Sequence, residues 1–151
     1  MTKRYEVTDR FIAAEDAAAL LYDPAETGLT FRESVVYEFG VIGDESALDH
    51  FVERTLVDAV SQEVATLGEE GATALSDALF VLDYGYKKGV LDLEKEAIEA
   101  HYHTRPVTDR GFTLETLRIT RRVYVFGEGG RPENFIKDIC NPAIHRWDIL
   151  S

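Results

Sequence analysis

The order in which extended and helical stretches follow one another constrains this chain more than any single motif, because that order occurs twice. The strand-like stretch "FRESVVYEFGVI" (31–42) precedes a helical one, and "LETLRITRRVYVFG" (114–127) precedes another. Within them "VYEFG" (36–40) and "VYVFG" (123–127) differ only at the middle residue. The two phrases stand 87 positions apart, while the exits from the following helices, "VDAVSQEV" (57–64) and "CNPAIHRW" (140–147), stand 83 apart, so four extra residues around "VIGD" reconcile the halves. Both halves read strand, helix, long strand, helix, short strand, and duplication of one supersecondary unit explains this better than coincidence. A unit of about 70 residues buries too little surface to be stable alone, so two such units should share a sheet or pack their sheets together.

In the first half, "RYEVTDRF" (4–11) alternates like a short strand, and the alanines and leucines of "AAEDAAALLY" (13–22) predict a helix that "DPAETGLT" (23–30) breaks. After the strand at 31–42, Asp44 is placed to cap a helix whose Leu48, Phe51, Val52, Leu56, Ala59 and Val60 share one face. "SQEVATL" (61–67) is a short strand, and the glycines of "GEEGATALSD" (68–77) mark a linker. In the second half, the nearly continuous apolar run of "ALFVLDYGY" (78–86) predicts a strand buried on both faces. "KKGV" turns, and Asp92 caps a helix carrying Leu93, Ala97, Ile98 and His101. "HTRPVTDRG" (103–111) is loop, and the strand at 114–127 then sets Leu117, Ile119, Arg121 and Val123 on one face. Pro132 opens a helix with Phe135, Ile136, Ile139 and Cys140 as its apolar stripe; Asn141 and Pro142 stop it, and "AIHRWDIL" (143–150) is a strand.

Composition narrows the functional classes. With 45% hydrophobic and 29% charged residues the chain has the makings of a packed interior. Its formal net charge of −12 repels phosphate backbones and anionic lipid, and neither "MTKR" nor "RRV" is long enough to form a compensating basic patch. Nucleic-acid and membrane partners are therefore not expected. One cysteine, Cys140, permits no internal disulfide, and no apolar run approaches about 18 residues, so a cytoplasmic protein is expected.

The second half resembles the PurS family, the small subunits of phosphoribosylformylglycinamidine synthase, the fourth-step enzyme of purine biosynthesis. The resemblance lies in "VLDYGYKKGVLDLEKEAIEAHY" followed by "RRVYVFGEGGRPENFIKDICNPAIHRW". Gly89, Val90 and Asp92 match the family's turn, and Asn141, Pro142 and Ala143 match its helix exit; Lys88 stands where the family has proline. The first half lacks the turn motif, and its "VDAVSQEV" is similar to the family's other exit with Ala59 in place of proline. The resemblance implies an α+β fold: a tandem of two PurS-like split β-α-β units, each with about three strands and two helices, forming a pseudo-dimer. The units would be residues 1–67 and 78–151, joined by the linker at 68–77. It also implies a structural, non-catalytic role, bridging a synthetase and a glutaminase so that ammonia passes between them. Catalysis, ATP and Mg would then belong to those partners, with no cofactor, metal or catalytic residue on this chain.

Few residues offer chemistry of their own against that expectation. His101 and His103 on one helix point about 200° apart, which does not suit chelation of one metal. His50 and His145 lack ligand-spaced neighbours, and Cys140 lies on an apolar stripe with no basic cluster beside it. "GEGG" (127–130) reads as a turn, since Glu128 would place a negative charge in a phosphate nest and no P-loop lysine follows. The acidic run "DLEKEAIE" reads as solvated helix surface. Tyr84, Tyr86 and Trp147 are the candidates for partner contact, as aromatics anchor interfaces. Two other functions stay open on the residues alone: a tandem ferredoxin-like domain sensing a small metabolite between its halves, and a small enzyme using the same cleft.

Overall fold

The computed structural model describes residues 1–10, 14–22 and 28–150, apart from the side chain of Val107. It is an α+β structure built on one antiparallel sheet of seven strands. In chain order these are β1 (Thr2–Asp9), β2 (Glu15–Asp16), β3 (Thr30–Gly43), β4 (Gln62–Leu67), β5 (Phe80–Tyr86), β6 (Phe112–Phe126) and β7 (His145–Leu150). The helices are α1 (Glu45–Thr55), α2 (Leu93–Thr104), the single turn α3 (Val107–Arg110) and α4 (Pro132–Ile139). Across the sheet the strands run β4-β1-β3-β6-β5-β7, with β2 paired to the end of β3. Outward from the central β3–β6 pair, the order is thus β3, β1, β4 on one side and β6, β5, β7 on the other.

Side chains alternate between the two faces of a strand, and register decides which of them meet. On the helical face, Tyr5, Val7, Tyr37, Phe39, Val41, Leu117 and Ile119 pack under Leu48, Phe51 and Val52 of α1 and Ile98 and Tyr102 of α2. On the same face, Phe31, Leu82, Val123 and Val125 pack under Phe135 of α4 and Ala17. A register shift keeps the first core continuous along β6: Gly40 faces Thr116 while Val41 faces Leu114, so Glu115 is bulged out of the ladder. Without that extra residue Phe112 and Leu114 would turn away from the core they share with Leu117 and Ile119.

The opposite face is covered by residues 68–79, which cross it as a strap without helix or strand. Beneath the strap lies a buried polar network. The Arg122 guanidinium donates to Glu6 (2.8 Å), Asp83 (2.8 Å) and the Ala72 carbonyl (2.7 Å). Glu6 also accepts from Ser34 (2.6 Å), the Ala74 backbone N–H (3.0 Å) and the Tyr124 hydroxyl. With Glu6 0% and Arg122 4% exposed, neither charge could be tolerated without these partners. Burial alone would pull the Arg122 guanidinium down, but the Asp83 hydrogen bond and the Glu6 charge hold it above its ordinary value. Burial, reinforced by Glu6, pushes the Tyr124 hydroxyl up to about 12.

Several expectations need correction. The helix expected over 13–22 is absent among the described residues: Glu15 and Asp16 pair with β3, and Ala17–Leu20 form a 3-10 turn capped by Asp16. Ala13, like Phe11 and residues 23–27, lies outside the described residues. Among its described residues the first half thus has one α-helix and one 3-10 turn rather than two helices. Asp44 caps α1 as expected, accepting from Ser46 N–H (2.9 Å), but the helix stops at Thr55. There Asp58 turns the chain by accepting from Val60 N–H (3.0 Å), which leaves Val60 79% exposed instead of on the apolar face. In α2 the buried stripe is Ile98 and Tyr102; Leu93, Ala97 and His101 are exposed. The segment expected as loop at 103–111 includes the last residues of α2 and the turn α3, which ends at Gly111. Gly111 has φ 70°, and a Cβ there would lie 2.6 Å from that of Ala47 in α1, so both conformation and space call for glycine.

The doubled phrase falls in the two central strands but on opposite phases. Tyr37 points to the helical face, where its hydroxyl donates to Glu94, whereas Tyr124 points under the strap to Glu6. An odd offset of 87 positions turns every side chain over, so Val36 and Val123 cannot be equivalent by face.

Candidate functional site

The two cores on the helical face do not merge. Between them runs a groove whose floor is a cross-strand row: Val35 of β3 faces Arg121 of β6, Arg121 faces Tyr84 of β5, and Tyr84 faces Trp147 of β7. An arginine in an otherwise apolar row cannot be buried unpaired. It is half-exposed and reaches Glu94 at the start of α2 (3.0 Å), whose other oxygen accepts from the Tyr37 hydroxyl (2.9 Å). The Glu94–Arg121 bridge divides the groove into two cavities. One, of about 160 Å³, is bounded by Asp9, Glu33, Tyr37, Leu56, Gln62 and Tyr84. The other, of about 180 Å³, is bounded by Tyr84, Tyr86, Asp92, Glu94, Ile139 and His145. Burial, then the nearby Glu94 carboxylate, raises the Tyr37 hydroxyl, and burial with Glu33 raises that of Tyr84.

The three expected contact residues are therefore brought to one end of the sheet, but they differ in what they present. Trp147 packs against the second core and Tyr84 forms groove floor, while Tyr86 is 41% exposed at the end of β5. His145, which faces Tyr86 across the ladder, stacks on its ring (centroids 5.3 Å, 29°) and meets Tyr84 edge-on (5.4 Å). Its Nδ1 accepts from the Asn141 backbone N–H (2.9 Å), so the neutral ring carries its proton on Nε2; burial lowers its basicity. These four rings form an aromatic corner where β5, β7 and the exit of α4 meet.

The other candidates stay apart. His101 lies against Phe51 and His103 against Tyr102, on either side of one helix, and His50 sits on α1. Among the described residues no group of three or more His, Cys, Asp or Glu is placed to hold a metal ion. Cys140 is buried, and burial pushes its thiol up to about 11, the opposite of what a nucleophile needs. "GEGG" is a turn over Leu29, with Gly127 and Gly130 against that side chain. Among the described residues no helix is long and apolar enough to cross a membrane.

Arg121, Glu94 and the buried pair Glu6–Arg122 went unrecognised as site-forming residues. Arg121 carried a signal, being the one charge in the Leu117–Ile119–Val123 row; Glu94 lay inside an acidic run indistinguishable from solvated surface. Compared with models of known families, with curated proteins and with solved structures, the chain matches none.

Proposed function

We propose that the chain is a structural, non-catalytic PurS-like component of phosphoribosylformylglycinamidine synthase, bridging the synthetase and glutaminase for ammonia transfer. In this reading residues 1–67 and 78–151 are two split units of one pseudo-dimer, and 68–77 is the linker. The observation that carries it is the strand order, β4-β1-β3 continued by β6-β5-β7, in which each half contributes the same sequence of positions about a central antiparallel pair. An equivalence that respects the faces needs an even offset near the doubled phrase, such as one pairing Tyr37 with Val123 and Phe39 with Val125.

Local geometry at the family-like motifs adds support. Gly89 has φ 90°, as a turn that excludes most side chains requires. Asp92 caps α2 by accepting from Lys95 N–H (3.2 Å), and Asn141 shapes the exit of α4 by accepting from Ala143 N–H (2.9 Å). In this reading ATP and Mg are handled by the synthetase, and the whole assembly is cytoplasmic.

Tyr84, Tyr86 and Trp147 are the proposed partner contacts. Of these, exposed Tyr86 is the one whose loss should act on binding without touching a core. Pull-down of the synthetase and glutaminase from the same source by Tyr86→Ala should fall by about tenfold, equivalent to roughly 1–2 kcal/mol, with unfolding unchanged. Equal recovery by wild type and variant would remove this corner from the interface; no recovery of either partner by the wild type would remove the scaffold itself.

A second reading, a tandem ferredoxin-like domain sensing a small metabolite, is favoured by one observation: the groove between the two cores, whose floor both halves supply, is divided into two lined cavities rather than filled.

A further inference from the structure

A second concentration of charge lies not in the groove but on the strap side of the sheet. A cavity of about 240 Å³ opens there, with Val36, Thr120 and Leu150 on its floor and Glu70 and Gly71 of the strap at its rim. Arg4, Arg118, Arg122, Glu38, Asp83 and Asp148 wall it. Four of these six charges are committed: Arg4 pairs with Glu38 (2.7 Å), and Arg122 with Asp83 (2.8 Å) as well as Glu6.

What remains on the wall is one charge of each sign, Arg118 and Asp148, both exposed and neither in an ion pair among the described residues. Asp148 lies directly opposite Asp83 across the β5–β7 ladder, and Asp83 is already held by Arg122. Arg146, exposed on the same face of β7 as Asp148, faces Gly85 of β5 and lies near Arg118 as well as Asp83, Asp148 and Glu38. A simple anion would suit the arginines and be repelled by Asp148, and a simple cation the reverse. A ligand bearing both charges suits both.

We propose that this cavity binds a small zwitterion, a free α-amino acid, with its carboxylate between Arg118 and Arg146 and its ammonium on Asp148. The Val36 and Leu150 side chains would receive an apolar side chain. The strap, anchored by Ala72 and Ala74 to Arg122 and Glu6, supplies the rim. This site is separate from the aromatic corner and does not depend on the scaffold role.

The test is amide and guanidinium NMR of the isotopically labelled whole chain, titrated with each common L-α-amino acid in turn. At least one should give saturable shifts at Arg118, Arg146, Thr120 and Asp148, with Kd of about 1 mM or tighter. The analogues of that amino acid lacking the amino group or the carboxylate should bind at least about tenfold more weakly. Arg118→Gln and Asp148→Asn should each weaken binding by a similar factor, whereas Glu115→Gln, at the exposed bulge, should not. Spectra of the free variants verify that each is folded. Absence of saturable shifts with every amino acid, equal binding of a one-charge analogue, or unchanged affinity in both variants would overturn the proposal.

Discussion

Arg121 and Arg122 are adjacent in the chain and opposite in circumstance. Alternation sends the first into an open groove and the second under the strap, so the same residue type meets water in one case and a 0%-exposed carboxylate in the other. Removing one member of a buried pair strands the other, which costs about 3–5 kcal/mol; an exposed bridge is worth about 0–1 kcal/mol. Arg122→Gln should therefore lower the urea-derived stability by about 3–5 kcal/mol and Arg121→Gln by less than about 1 kcal/mol. Comparable losses would contradict the face assignment. Alternation in 114–127 already separates Arg121 and Arg122 by face, but what lies over Arg122 was not legible in the sequence, because its partner is in a different strand, 116 positions away.

Asp49 gives the acid side of the stability profile a sign. Burial opposes its charge, but hydrogen bonds from Lys3 (2.7 Å) and Tyr5 (2.5 Å) hold it below its ordinary value of 3.8. The associated stability is complete above that value and is lost as pH falls through the lower folded one. Asp49→Asn should flatten the stability curve below about pH 4 and leave its neutral slope alone. An unchanged acid limb in a urea-by-pH series would show that the pair contributes nothing.

At the scale of elements, the long strands, α1 and α4 follow from patterns local to each segment: period-two alternation, Asp44 before an apolar stripe, Pro132 at a first turn. Asp44→Ala removes the acceptor of the Ser46 N–H and should cost about 1 kcal/mol in a denaturant titration; no loss would mean that packing alone fixes the start of α1. What failed to show locally is what tertiary contact decides. The alanines at 17–19 favour helix, yet Asp16 is drawn to Thr30 in β3 and Ala17 N–H donates to Leu29 (3.0 Å), so only a 3-10 turn fits between. In α2, Leu93 satisfies a helical stripe on paper, but the helix lies across the sheet so that Ile98 and Tyr102 go inside. The Glu115 bulge likewise has no sequence signature, although it sets the phase of β6.

For the whole molecule, the sheet order is the step that links sequence to the proposed function. The doubled phrase correctly picks out the two central strands, but as residues its halves face opposite ways, so the likeness is one of element order rather than of superposable side chains. In the proposed scaffold this matters, because partners would meet the aromatic corner of the second half and find no counterpart in the first, where β4 offers Gln62, Val64 and Thr66. A structurally paired but chemically unequal platform suits two different partners better than two copies of one. The most direct measurement is product formation by the synthetase and glutaminase from the same source, with glutamine or with free ammonia as nitrogen donor, in the presence and absence of this chain. The scaffold account predicts that glutamine-dependent turnover requires the chain while ammonia-dependent turnover by the synthetase persists without it. Full glutamine-dependent turnover in its absence would contradict the account.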